Sequence, residues 1–113
     1  MKKMVFVIAV SAVLAATPAM ASKRYEGQEA VAIRCAVILA VVPTALAEQR
    51  VISRENAAIM QLMSASILRQ HVSGSERQKM SAFRTLMRRT DPQKHVRDFQ
   101  TRSKTCLRQF PIR

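Results

Sequence analysis

The residues able to do chemistry in this 113-residue chain are two cysteines, two histidines, seven methionines and an excess of arginine. Cys35 and Cys106 lie 71 residues apart, with no Cys-x-x-Cys pattern and no histidine beside either one in sequence. That spacing points away from a redox pair or a zinc site and towards one structural disulfide, the only intramolecular connectivity open to two cysteines. Closing so long a loop should stabilise a small fold by roughly 4 kcal/mol, an upper figure in the chain-entropy picture.

His71 and His95 fall in no metal-ligand spacing, and each is expected to serve as a polar group near a helix end. Met60 and Met63 form Met-x-x-Met, with His71 further along the same segment and Met80 and Met87 on the next. Thioethers suit Cu(I). The same spacing makes an ordinary helix core in which methionine fills gaps, and that is the expected reading. There is no glycine-rich phosphate loop, no nucleophile elbow and no glycosidase-type pair of carboxylates. Asp91 is expected to cap a helix and Asp98 to join a surface ion pair. The expectation is therefore no catalytic set, no metal and no cofactor: the chain is not expected to be an enzyme.

The arginines carry the stronger signal. The formal net charge is +12, and 13 of the 17 basic residues beyond position 21 are arginine. Arg77, Arg84 and Arg88 line one face of a predicted helix, and Lys94, Arg97, Lys104 and Arg108 share a sector of the next. If those two helices pack as an antiparallel pair, the rows merge into one positive surface. Guanidinium forks suit bidentate contact with carboxylate or phosphate. A solvated, solubilising face is the plainer alternative.

The compartment follows from the first residues. Met1-Lys2-Lys3 precedes an apolar run from Met4 to Ala16, then Thr17-Pro18-Ala19-Met20-Ala21. A basic start, an apolar stretch of about 7–15 residues and a small-x-small end are the parts of a secretory signal. Cleavage after Ala21 would leave a single domain over residues 22–113, periplasmic or secreted. Nucleic acid is then a poor partner, and no aromatic interleaving offers base stacking. An acidic protein, anionic lipid head groups or envelope phosphates fit better.

Four elements must position these groups. Only Gly27 and Gly74 interrupt the chain beyond residue 21, and no apolar–polar alternation is present, so the fold class is all-α: a small helical bundle of about four helices stapled by one disulfide. The first helix, about 26–49, is apolar all round between Ala30 and Ala47 except at Arg34 and Thr44, which marks it as the central helix. Pro43 should kink or break it near Val42. The second, about 54–71, starts after the N-cap candidate Ser53, with Ile59, Met63 and Ile67 as its core line, widened by Met60, Leu62 and Leu68. The third, about 76–89, follows a Ser73-Gly74-Ser75 turn with capping-box spacing from Ser75 to Gln78 and an apolar stripe of Met80, Phe83, Leu86 and Met87. The fourth starts at Asp91-Pro92, runs to about Gln109, and aligns Val96, Phe99, Ser103, Cys106 and Phe110.

The reading that follows is a small exported protein that acts by binding an acidic or anionic partner. Two alternatives are a holdase-type chaperone or stress protein, and a membrane hairpin in which an uncleaved 4–21 segment pairs with residues 30–47. Arg34 and the export-type cleavage site weigh against the hairpin. The intact mass from the native host, without reductant, separates these: Ser22–Arg113 less two hydrogens is expected. A full-length mass with two free thiols would favour the hairpin.

Overall fold

Helix signals in the chain translate directly into four helices in the computed structural model, which describes residues 23–113. The segment read as a signal, 1–21, lies outside the described residues. The helices are α1 (Gly27–Glu48), α2 (Arg54–His71), α3 (Glu76–Arg89) and α4 (Pro92–Gln109). Local chemistry fixes each start. Ser53 accepts from the Asn56 amide, Ser75 and Gln78 form a reciprocal capping box, and Asp91 accepts from the Gln93 amide with Pro92 in the first turn.

α1 is the axis of the bundle. From Ala32 to Leu39 every residue except Arg34 is buried, including Val37, Ile38 and Leu39 on different sides of the helix. Such a helix must be covered from all sides. α2, α3 and α4 each pack along α1 and make little contact with one another. α1 also has the length and composition to cross a membrane, with mean hydropathy 2.2 over an 18-residue window, half of which is buried inside the protein. Close approach of α2 to α1 is allowed by the small side chains Ala32, Ala36, Ala57 and Ser64, all buried. It brings the Ser64 hydroxyl to 2.6 Å from the Ala36 carbonyl, so the buried polar group is satisfied.

Of the two effects expected of Pro43, a kink or a break, the break does not occur; the helix continues to Glu48, close to its expected end. The ring removes one amide donor, but Val42 and Pro43 are buried, and beyond them Gln61 Nε2 of α2 donates to Thr44 Oγ1 at 2.6 Å. Packing and this tie hold the last turns in place. α1 ends where Arg50 adopts φ 61°, letting Val51 N donate to Leu46 O at 2.8 Å and Arg50 N to Ala47 O at 3.0 Å. This is the left-handed C-terminal turn usually assigned to glycine.

Two core lines differ from expectation. On α2 the buried residues are Ala57, Ser64, Ile67 and Leu68; Met60 and Met63 are half-buried, while Ile59 and Leu62 are 51% and 68% exposed. The helix is turned so that Ala57 and Ser64 face inward with Ile67 and Leu68, and Ile59 and Leu62 face outward; the burial of Ile67 and Leu68 agrees with expectation. On α4 the first turn buries His95 and leaves Val96 41% exposed, although Phe99 and Ser103 are half-buried and Cys106 and Phe110 buried as expected. His95 Nε2 lies 3.3 Å from the Met87 carbonyl, one of the α3 end carbonyls without an intrahelical partner. That bond turns the first turn of α4 inward at position 95. The disulfide joins Cys35 and Cys106, with Cα atoms 5.6 Å apart, and locks the last turn of α4 to the middle of α1.

The turn between α2 and α3 depends on Gly74. Its φ is +99°, and a Cβ there would meet Tyr25 Oη at 2.7 Å and Gln78 Oε1 at 2.8 Å. Both atoms are committed: the Tyr25 hydroxyl donates to Ser73 O at 2.7 Å and Gln78 Oε1 accepts from Ser75 N at 3.0 Å. Gly74→Ala is expected to lower unfolding stability by about 1–3 kcal/mol. An unchanged urea midpoint would show that the turn is not held this way.

Candidate functional site

The basic side chains singled out from the sequence all reach solvent. Arg77, Arg84 and Arg88 on α3 and Lys94, Arg97, Lys104 and Arg108 on α4 are exposed. Each row exists because the opposite side of its helix faces inward. α3 directs Met80, Ala82, Phe83 and Leu86 to the core, and α4 directs Phe99, Cys106, Leu107 and Phe110. At about 100° per residue, spacings of seven and eleven return Arg84 and Arg88 to the side of Arg77.

The antiparallel pairing that would merge the two rows is not how the helices are held. α3 and α4 pack on α1, not along one another, because α1 is the large apolar surface available to both. The rows are therefore two separate helix faces carried by one axis. Among the described residues the single ion pair is Lys94 Nζ to Asp98 Oδ2 at 3.2 Å, the surface pair expected for Asp98. The other six members of the rows have no carboxylate partner among these residues.

Each histidine lies within hydrogen-bond distance of a backbone carbonyl. His71 Nε2 is 2.8 Å from Pro111 O, and its ring meets Phe110 edge-on at 5.3 Å between centroids. Its neighbour Gln70 accepts from Arg113 N at 2.9 Å, so the end of α2 pins the C-terminal residues. No group of three or more His, Cys, Asp or Glu side chains among the described residues is placed to hold a metal ion. Of the methionines considered for Cu(I), Met60, Met63, Met80 and Met87 are all half-buried, and Met80 packs against the core.

One polar cluster was not legible in the sequence. Ser73 N donates to Glu29 Oε2 at 2.6 Å, Ser73 Oγ to Glu29 Oε1 at 3.1 Å, and Lys23 Nζ to Ser73 Oγ at 2.6 Å. These bonds clasp the segment before α1, and the first turn of α1, onto the α2–α3 turn. Lys79, otherwise one more basic residue of α3, is buried here. The Ser73 amide and hydroxyl hold the Glu29 carboxyl below its ordinary value, helped by the charges of Lys23 and Lys79. Burial, and secondarily the Glu29 charge, push the Tyr25 hydroxyl up. The sole signal in sequence was the serine-rich turn, with nothing to say which carboxylate would reach it.

Compared with family models, curated proteins and solved structures, the chain matches none. What fold and surface define is a four-helix all-α bundle, built on one apolar helix, stapled by a disulfide and basic on two outer faces.

Because the Glu29 carboxyl is lowered in the folded state, its contribution is present above the ordinary value of 4.5 and is lost as pH falls through the lower folded value. The Ser73 amide resonance should follow a titration with a midpoint below 4.5, absent in Glu29→Gln. A midpoint at or above 4.5 would rule out the hydrogen-bonded carboxylate.

Proposed function

We propose that this chain is an exported, non-enzymatic binding protein whose arginine rows on α3 and α4 hold an acidic partner protein or another anionic component of the cell envelope. The observation that carries the reading is the set of six exposed cations, Arg77, Arg84, Arg88, Arg97, Lys104 and Arg108, that have no carboxylate partner among the described residues. Clustered like charges repel, and an anion laid across them relieves that repulsion while the guanidinium forks supply paired hydrogen bonds. Five of the six are arginines, which hold carboxylate and phosphate with defined geometry. Export is supported by the signal-like pattern of residues 1–21 and by a disulfide of the kind that persists in oxidising compartments.

The test is charge reversal. Arg84→Glu, Arg88→Glu, Arg97→Glu and Arg108→Glu together should weaken binding to a polyglutamate peptide, or to vesicles rich in anionic lipid, by roughly 100-fold or more at moderate salt. Wild-type binding should also fall steeply with added salt. The helical signal by circular dichroism should persist, since all four side chains are exposed. Undiminished binding by the folded quadruple variant would overturn the proposal.

A further inference from the structure

The face of α2 turned away from α1 is apolar where solvent would favour polar side chains. Leu62 is 68% exposed and Ile59 51%, with Ala58 and Ala65 exposed on either side of Leu62. On a helix of about 100° per residue, Leu62 lies roughly opposite the buried line of Ala57, Ser64 and Ile67. Glu55 and Arg69 bound this face, seven residues before and seven after Leu62, and both are exposed. Exposed Arg54 lies on the Ala58 flank, so within this face Glu55 and Arg69 are the acid and base that bracket Leu62 symmetrically.

Its pattern is self-complementary. In an antiparallel pair of α2 helices related by a twofold axis through Leu62, Leu62 meets its own copy. Ile59 falls opposite Ala65 and Ala58 opposite Ser66, a larger or apolar side chain facing a small one each time. Glu55 falls opposite Arg69, and the symmetry makes this ion pair twice. A parallel pair would set Glu55 against Glu55 and Arg69 against Arg69. The charges therefore select orientation as well as partner. We infer that α2 is a homodimer interface, in which two copies of this chain pack antiparallel about Leu62 with reciprocal Glu55–Arg69 pairs.

The test is the molar mass of the purified, disulfide-intact chain by sedimentation equilibrium across a concentration series. Wild type is expected to dimerise reversibly. Leu62→Glu is expected to raise the dissociation constant by about 100-fold or more with its circular dichroism unchanged, because Leu62 is 68% exposed. Glu55→Arg and Arg69→Glu should each weaken the dimer by about tenfold, and the double exchange should recover most of that loss. A strictly monomeric wild type would overturn the inference, including one whose Leu62 face instead binds lipid vesicles or another protein. So would a dimer indifferent to Leu62→Glu, or a double exchange that fails to rescue.

Discussion

α1 is apolar over most of its circumference, with Arg34 as its one exposed residue between Ala32 and Leu39, and the architecture is a response to that constraint. A helix that is half-buried can rest on one neighbour, whereas one buried from Ala32 to Leu39 at every position but Arg34 needs several. α2, α3 and α4 supply the cover, and each is organised towards α1 more than towards its neighbours. The contacts follow the shape of that axis. Alanines and Ser64 of α2 are buried at the seam with α1, while α3 and α4 direct Met80, Phe83, Leu86, Phe99, Leu107 and Phe110 inward. The Cys35–Cys106 bond closes the arrangement by tying the last helix to the axis. A bond closing a loop of this length adds to what a small core contributes by burial.

Polar contacts finish what apolar packing leaves open. At one place Glu29 and Tyr25 hold the Ser73–Gly74 turn, and at another His71 and Gln70 hold the C-terminal residues. His95 completes the α3 end through the Met87 carbonyl. Each bond satisfies a backbone group that a helix end or turn exposes, which is why such contacts gather at the termini of elements.

With the inward faces committed, the outer faces divide into two kinds. Those of α3 and α4 are cationic and unpaired among the described residues apart from Lys94, which suits an anionic ligand. That of α2 is apolar at Ile59 and Leu62 and bracketed by Glu55 and Arg69, which suits a second copy of itself. An association through the first kind of face would be screened by salt; one through the second would rest on apolar burial, with only its Glu55–Arg69 pairs sensitive to salt.

The sequence by itself determined the all-α class, the helix boundaries to within a residue or so, the caps at Ser53, Ser75 and Asp91, and the cysteine pairing. These are local matters, set by side chains acting on their own backbone or by the absence of any other partner. It also determined that the arginine rows would lie on helix faces, since spacing along a helix is fixed by its pitch. Which side of α2 faces inward was decided only in the tertiary structure. Periodicity pointed to Ile59, Met63 and Ile67; Ile67 is buried, but the close approach to Ala36 admits Ala57 and Ser64 and turns Ile59 and Leu62 outward. The same holds for His95 over Val96, for the unbroken helix through Pro43, for the burial of Lys79 and for the separation of α3 from α4. In each case the outcome depends on the shape and hydrogen-bonding needs of a distant segment, and a one-dimensional pattern carries no record of either.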